Sequence, residues 1–345
     1  MKQAVLGKGG VRLAIKEQVL HFLWQHRQED ISGQQLAEAL GVSRAAVWKA
    51  VEALRQEGFE VQAGTKRGYC LAQGPVKLWE QEIRAAFWPE YRHLPLTLYE
   101  TVGSTNREAG KAAMEGAPQG SIFAADEQTC GRGQRGRSFF SPPYSGLYFS
   151  IILRPKAELS AITQVTMAAA VAVCRGVKLC TGKTLDIKWL NDLLLDGKKL
   201  CGILTQVDAD LESGQVESLV VGIGLNLTRP SEGYPADLEQ VAGYLFAPEE
   251  APAASPSRLL GEISSQLLSA WENQDFLEEY RTRSLVLGKN IRCFQQGKWM
   301  EAKAETVDTQ GRLVAVTGEN CRLYLHPGRD RVEWPVGDNQ KDGDL

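Results

Sequence analysis

The 345-residue sequence lacks several features that would narrow its function at once. It has no apolar run near the roughly 18 residues that a membrane span requires, so no membrane association is expected. The seven cysteines show no zinc-like pairing, and no signal peptide is evident, which predicts a reducing, cytoplasmic location. Large net charge is also absent. The value of −3 is unevenly spread, with 10 Lys/Arg against 7 Asp/Glu in residues 1–72 and 29 against 35 afterwards, so the two parts are expected to meet different partners.

The N-terminal residues follow the pattern of a winged helix-turn-helix. Apolar residues at helical spacing predict a first helix, and Ser32-Gly33-Gln34-Gln35 is a capping box that begins a second. Ser43 caps a third helix, and alternating segments around a basic tip then predict a hairpin. Three helices followed by such a hairpin predict a DNA-binding domain over residues 1–72.

DNA contacts are expected from the first turns of the third helix and from the hairpin tip. The start of a recognition helix reads base edges in the major groove, while cations of the wing hold phosphates. The alternative is a three-helix interaction module with a solvated charged face. The predicted DNA-binding residues are Ser43, Arg44, Ala45, Trp48, Lys49, Lys66 and Arg67.

Beyond a linker predicted at 73–82, strand-like and helical segments alternate. Strands are predicted at 96–102, 121–125, 147–153, 185–190, 200–207 and 218–227, and the longest helix at 160–180. Asp196-Gly197 between two apolar runs indicates a hairpin, so part of the sheet is antiparallel. The sequence therefore predicts an α+β domain with a mixed sheet, not a doubly wound fold.

The segment from Ala125 to Phe140 places three arginines among three glycines after an apolar run. Glycines let backbone N–H groups approach a ligand closely, and arginine matches phosphate or carboxylate oxygens with two donors. The segment is expected to close over a polyanion; a solvated basic loop is the alternative.

Four motifs in order carry a resemblance to a known family. Ser104-Thr105-Asn106, Gln128 with Gly131-Arg132-Gly133, the segment 188–192 (Lys-Trp-Leu-Asn-Asp) and the segment 222–226 (Gly-Ile-Gly-Leu-Asn) occur as they do in biotin protein ligases. With the winged helix in front, residues 11–340 resemble the bifunctional class, which joins a biotin ligase to a biotin-operon repressor. The resemblance implies a class II synthetase-like catalytic domain at 83–285, an SH3-like barrel at 286–336 and a tail at 337–345.

The resemblance implies a two-step reaction. Biotin and Mg-ATP give biotinyl-5′-AMP, and biotin then passes to a lysine of a biotin carboxyl carrier protein; the adenylate-bound protein is expected to be a homodimer on operator DNA. By resemblance, biotin is bound by Ser104, Thr105, Asn106, Gln128, Gly131, Arg132, Gly133 and Lys188, and the nucleotide by Arg135, Arg137, Phe139, Asn191 and Asn226. Lys188, Arg132 and Arg137 are the predicted catalytic cations, because two anions must meet before the new bond forms. The Mg²⁺ ligands stay open between Asp192 and the phosphates with water.

Three positions depart from the family's usual pattern. Gln134 replaces an arginine in the glycine-arginine loop, Leu190 replaces a proline, and Phe139 stands where tryptophan is usual. A last helix is expected over 258–283, followed by short strands that break at Gly297, Gly311 and Gly318. Two alternatives remain: a lipoate-type ligase, which shares the catalytic fold, and a DNA-binding regulator whose enzyme has decayed.

Overall fold

A computed structural model of the protein describes residues 14–26, 29–56, 59–64, 68–73, 77–155, 161–209, 216–250 and 252–334. The chain divides into two compact units at Pro75. The first unit contains α1 (Ile15–Gln25), α2 (Gly33–Leu40), α3 (Arg44–Gln56), β1 (Glu60–Gly64) and β2 (Gly68–Gln73). The two strands pair antiparallel, which completes the predicted winged helix-turn-helix.

The predicted end signals position the second and third helices. The Ser32 side chain accepts a hydrogen bond from the Gln35 amide while the Gln35 side chain accepts one from the Ser32 amide, as the capping box predicted. Gly41 ends α2 with a φ of 66°, a conformation that favours glycine. The Ser43 hydroxyl accepts from the Ala46 amide and caps α3, whose apolar side buries Val51 fully.

The second unit is built on a seven-stranded mixed sheet. Its strand order is β3-β4-β5-β9-β8-β7-β6, and only the β3–β4 pair is parallel. The mixed α+β sheet predicted from the sequence is therefore confirmed. The strands are β3 (Leu96–Val102), β4 (Ile122–Gln128), β5 (Gly146–Leu153), β6 (Asp186–Lys188), β7 (Asp192–Leu195), β8 (Lys198–Ala209) and β9 (Val216–Asn226).

Helices cover both faces of this sheet. They are α4 (Glu80–Ala86), α5 (Thr105–Met114), α6 (Ala161–Thr181), α7 (Pro256–Asn273) and α8 (Leu277–Arg283). α5 packs through Ala109 and Ala113 against Phe123 and Ile152, whereas α6 and α7 contribute to the main core. By length and hydropathy α6 passes the test for a membrane span, but 67% of that window is buried within the fold, as in a core helix.

The C-terminal part of the second unit is a small antiparallel sheet. It contains β10 (Asn290–Gln295), β11 (Lys298–Val307), β12 (Leu313–Thr317), β13 (Arg322–Leu325) and β14 (Arg331–Glu333), in the order β13-β12-β11-β10-β14. The turns at Gly297 and Gly311 have φ of 81° and 77°, and both lie where the sequence placed strand ends. The prediction of a small C-terminal β domain is confirmed.

Three elements differ from the sequence prediction. The helix expected over 258–283 is two helices, because Gln274 adopts a φ of 54° and its side chain donates to the Trp271 carbonyl. The strand expected over 185–190 ends at Lys188, and the chain turns into β7, the first strand of the hairpin that Asp196-Gly197 indicated. The expected linker 73–82 includes structured residues: Leu78 is buried, and α4 begins at Glu80.

Candidate active site

A cavity of about 400 Å³ in the second unit brings together most of the predicted site residues. Its lining comes from the seven-stranded sheet, the segment 132–140 and the segment 327–334, which includes β14. The predicted residues that line it are Ser104, Thr105, Asn106, Gln128, Arg132, Gly133, Arg135, Arg137, Phe139, Lys188, Asn191 and Asn226. Gly131 is the one predicted residue of this domain that is not among the lining residues.

The glycine-arginine segment folds as a hairpin over residues 128–141. Its backbone closes through the Phe139 amide to the Gly131 carbonyl, 3.0 Å, and the Gly133 amide to the Arg137 carbonyl, 2.7 Å. A Cβ at Gly131 would lie 2.3 Å from the Phe139 carbonyl oxygen, so any larger residue would separate the two sides. Gly131 thus allows the two sides of the hairpin to approach closely, although it does not line the cavity.

The hairpin presents its cations to solvent. Arg132, Arg135 and Arg137 are all exposed and all line the cavity, and Arg135 adopts a φ of 55° at the tip. Exposed guanidinium groups around an open cavity fit the binding of an anionic ligand from solution. Gln134 lies in the same tip and is also exposed.

Phe139 lies on the floor of the cavity against two strands. Gly202 of β8 pairs with Gly224 of β9, and a Cβ at Gly224 would lie 2.5 Å from the Phe139 ring. The ring also meets Tyr148 edge-on, with centroids 6.4 Å apart. The glycine pair therefore makes the flat surface that seats this ring.

Two lysines and one aspartate form the charged side of the cavity. Lys188 ends β6 and pairs in register with Asp192 of β7, while Lys199 Nζ lies 2.8 Å from Asp192 Oδ1. Burial lowers the pKa of Lys188; Asp192 offsets part of that effect, and Lys199 adds to it. By formal charge, these three side chains carry one more positive than negative charge, which favours an anion.

The C-terminal sheet contributes to the same side. The Trp334 ring lies 6.0 Å from Lys188 Nζ, within the range of a cation–π contact. Trp334 is 9% exposed and lines the cavity, and the Trp189 indole N–H donates to the Gly311 carbonyl at 3.2 Å. The sheet β10–β14 is therefore packed directly on the charged side.

A buried polar cluster also lines the cavity. The Gln128 Oε1 accepts from the Thr105 amide at 2.8 Å and lies 3.1 Å from Thr105 Oγ1. Asn106 donates to the Leu204 carbonyl at 3.3 Å and to Gln206 Oε1 at 2.9 Å. Ser104 occupies the N-cap position of α5 without a side-chain cap bond. Helix capping is therefore not what holds the Ser104 side chain, which is 2% exposed.

Asn191 and Asn226 are held by backbone carbonyls. The Asn191 side chain donates to Ile203 at 3.0 Å, and Asn226 donates to Gly243 at 3.0 Å. The Tyr234 hydroxyl donates to the same Gly243 carbonyl at 3.1 Å. These contacts tie the segment 234–245 to the strand ends beside the cavity.

A protein-held metal ion needs several His, Cys, Asp or Glu side chains close together. Within the described ranges, no three His, Cys, Asp or Glu side chains form a group that could hold a metal ion. Asp192, the candidate ligand, is paired with Lys199. A cluster of protein ligands for Mg²⁺ is therefore not found among the described residues.

The first unit presents the predicted DNA-reading surface on α3. Ser43, Arg44, Ala45, Trp48 and Lys49 are exposed, and Trp48 has 56% of its surface accessible. Tryptophan is enriched at interfaces, so this exposed indole fits a surface that a partner covers. Lys66 and Arg67 of the predicted wing tip lie outside the described residues.

Sequence reasoning missed several residues of the site. Lys199, Ser150, Tyr234 and Trp334 were not predicted, although all but Ser150 line the cavity. Successive side chains of a strand point to opposite faces, so Lys198 and Lys199, which follow the Asp196-Gly197 turn, point to opposite faces of β8. This alternation was the sequence signal that could have identified Lys199. Trp334 comes from a distant strand, and nothing local in the sequence connects it with Lys188.

Comparison with known proteins agrees with this geometry. The model of the biotin/lipoate A/B protein ligase family matches residues 99–226, and an HTH domain model matches residues 16–70. The bifunctional ligase/repressor BirA of Bacillus subtilis is 34% identical over 322 residues, which cover 90% of this chain and 97% of that protein. The BirA of Salmonella typhimurium is 30% identical over 298 residues, 82% of this chain and 87% of that protein.

A solved structure supports the fold of the second unit. The biotin protein ligase of Aquifex aeolicus, in complex with biotin and ATP, matches with a TM-score of 0.56 at 22% identity, over 69% of this chain and 98% of that one. At this identity the likeness shows the fold alone. The matches to the curated relatives extend through both the helix-turn-helix and the ligase domain, and on that basis the chain belongs to the bifunctional ligase/repressor BirA family.

Proposed function

We propose that the chain is a biotin protein ligase that forms biotinyl-5′-AMP from biotin and ATP and passes biotin to a carrier-protein lysine, and that it represses transcription in response to biotin. The observation that carries the ligase proposal is the cavity itself. It brings the polar cluster around Thr105 and Gln128 together with Lys188, Lys199 and the arginines of the hairpin. This combination fits a ligand that has both a polar ring and anionic groups.

In the first step, a carboxylate oxygen of biotin attacks the α-phosphorus of ATP. The new bond joins that oxygen to phosphorus, the bond to the β-phosphate oxygen breaks, and pyrophosphate leaves with its electron pair. Lys188 and Lys199 are proposed to neutralise the two anions as they approach, and Arg132 and Arg137 to hold the phosphates. Mg²⁺ is proposed to enter with ATP as part of the Mg-ATP substrate.

In the second step, the neutral amine of a carrier lysine attacks the acyl carbon of the adenylate. An amide bond forms, the acyl–phosphate bond breaks, AMP leaves, and the amine releases a proton to solvent. The hairpin at 128–141 lines the cavity with exposed side chains, and a carrier lysine is proposed to enter past it. We propose that the adenylate stays under this hairpin until the carrier arrives, with Arg135, Phe139, Asn191 and Asn226 on its nucleotide part.

The repressor function is proposed for the α3 surface of the first unit. Operator DNA is the partner that its exposed Arg44, Trp48 and Lys49 fit. A cytoplasmic location is proposed because all seven cysteines are free. A homodimer is proposed for the adenylate-bound state.

One assay tests the ligase proposal against the lipoate alternative. The full chain is incubated with ATP, a carrier domain and either radiolabelled biotin or radiolabelled lipoate. Incorporation of biotin alone is the expected result. Incorporation of lipoate would replace the proposal with a lipoate ligase, and incorporation of neither would leave a DNA-binding regulator without this enzyme activity.

A further inference from the structure

Lys188 has an aromatic ring as its neighbour, where a cation taken out of water usually has a carboxylate. Its Nζ lies 6.0 Å from the centre of the Trp334 ring, and both residues line the cavity. Asp192 pairs in register with Lys188, but its Oδ1 lies 2.8 Å from Lys199 Nζ. Among the residues that the structure describes, no carboxylate forms an ion pair with Lys188. The ring of Trp334 is therefore the group that faces its ammonium.

An aromatic ring and a carboxylate hold an ammonium group with different consequences. Both attract the cation, but a carboxylate also cancels its charge, whereas the ring carries no net charge. Burial lowers the pKa of Lys188, and the ring opposes this effect because it attracts the charged form only. Lys188 thus keeps its full positive charge for an anionic ligand.

The position of the Trp334 ring is fixed by the C-terminal sheet. Trp334 directly follows β14, which pairs with β10. The same sheet is tied to the ligase part of the unit through its backbone carbonyls. The indole N–H of Trp189, the next residue after the lysine, donates to the Gly311 carbonyl at 3.2 Å, and Arg281 of α8 donates to the Val307 carbonyl at 2.7 Å. The sheet therefore approaches the lysine and its neighbour at two separate points.

The aromatic face of Trp334, and not its N–H group, makes the contact with the lysine. Trp334 Nε1 is buried and has no hydrogen-bond partner within the described part of the chain. A buried indole N–H usually finds an acceptor, so a hydrogen bond does not explain a tryptophan at this position. Phenylalanine would keep an aromatic face there without the loss of a hydrogen bond.

We propose that Trp334 is a positioning residue, which holds the Lys188 ammonium in the cavity through its ring, so that the C-terminal sheet completes the ligase site. This inference rests on the proposed function, because Lys188 is the cation assigned to the approach of the two anions. A cation held in place before the reaction needs no reordering when charge develops. Without the ring, the long lysine side chain regains rotamers that must be lost again in each reaction.

The test is a double-mutant cycle on the full chain. Biotin-dependent pyrophosphate release is measured in a single turnover at saturating biotin and Mg-ATP. Trp334→Leu keeps an apolar side chain but removes the ring, and it is expected to slow release about tenfold, whereas Trp334→Phe should stay within about threefold of the parent. In the Lys188→Ala background, Trp334→Leu should slow release by no more than about twofold further, because the contact is already absent.

The matched control is Trp299→Leu, which removes a ring from the same sheet outside the cavity. Trp299 is 40% exposed, and its ring centre lies 4.9 Å from the Arg292 guanidinium carbon, so the same kind of contact is lost. This variant should keep the parental rate. Should Trp334→Leu not fold, Trp334→Met, with a longer apolar side chain, takes its place in the cycle.

Three results would overturn the inference. The first is a parental rate in the variant without the ring. The second is the same tenfold loss with and without Lys188, which would mean that Trp334 supports the fold and does not act through the lysine. The third is an equal loss in Trp334→Phe and Trp334→Leu. A parent that releases no pyrophosphate with biotin overturns the proposed function instead, and the inference with it.

Discussion

At the scale of single residues, the charged side of the cavity depends on Lys188 and Lys199. We expect Lys188→Ala and Lys199→Ala each to slow adenylate formation by about 10²–10³, because removing one preorganised donor from a developing charge has that effect in comparable sites. Lys198→Ala is the matched control: it is adjacent, exposed and absent from the cavity lining. Pyrophosphate release by the pure variants measures the effect. A rate within a few-fold of the parent would remove that lysine from the mechanism.

A second prediction at this scale concerns protein stability and the carboxyl group of Asp126. This acid is buried and does not line the cavity. Burial raises its pKa from 3.8 to about 7, although the Leu78 amide donates to it at 2.9 Å. The folded state therefore holds this proton up to about pH 7, while the unfolded state releases it near pH 4. Stability from this group is complete below pH 4 and is lost as the pH rises towards 7.

Asp126→Asn keeps an oxygen for the Leu78 amide and removes the charge. We expect the variant to be more stable than the parent at pH 8, by on the order of 2 kcal/mol, and similar to it near pH 4. Urea unfolding at the two pH values checks this. Equal gains at both would show that the carboxyl does not titrate between them.

At the scale of elements, the hairpin 128–141 carries the departure at Gln134. A charge-assisted hydrogen bond contributes roughly 1.5–3 kcal/mol against about 1 for a neutral one, so arginine should hold a bound adenylate longer than glutamine. We expect Gln134→Arg to slow dissociation of biotinyl-5′-AMP by about tenfold, with the change mostly in the off-rate. Stopped-flow release measures it.

The control for this variant is Gln310→Arg, which adds the same charge at an exposed turn of the C-terminal sheet. It should leave the off-rate unchanged. Equal off-rates for the parent and Gln134→Arg would mean that Arg135, in the same tip, already fills the role. They would equally follow if position 134 does not face the phosphate.

The sequence predicts an element when the residues that determine it are close together in the chain, and misses it when they are distant. The capping box at Ser32 and the turn at Asp196-Gly197 are local, and both helix start and hairpin were predicted correctly. The break between α7 and α8 was missed because the residue in the left-handed conformation is Gln274. Glycine, which usually indicates this conformation in a sequence, is absent at that position. The pairing of Ser150 with Gly222 is set by strand register across 72 positions of the chain, which no local pattern encodes.

The same reasoning applies to the site. All but one of the site residues predicted in this domain line the cavity, because each motif is a short segment at a strand or helix end. Trp334 joins the charged side from β14, and Lys199 joins through its pairing with Asp192. Contacts of this kind arise only after the sheets are assembled, so they had to be read from the structure.

At the scale of the whole molecule, the ligase site and the DNA-reading helix lie in separate compact units. A ligand bound at the ligase site can change DNA binding only if the ligand and the DNA both bind more tightly to the same state of the protein. Dimerisation is such a state, because two joined winged helices read two half-sites at once and bind far more tightly than one. We propose that adenylate formation, by ordering the hairpin 128–141, favours the dimer.

We therefore expect sedimentation to show a heavier species with biotin and Mg-ATP than without them, and footprinting to show two protected half-sites only in that state. Trp48→Ala, on the exposed surface of α3, should weaken the footprint while leaving adenylate formation and the sedimentation shift at parental values, since Trp48 belongs to the other unit. Lys188→Ala should lose the sedimentation shift with biotin and ATP but regain it with pre-formed biotinyl-5′-AMP at saturating concentration. An oligomer and a footprint that do not change with ligand would contradict the coupling, and would leave the two units as independent activities on one chain.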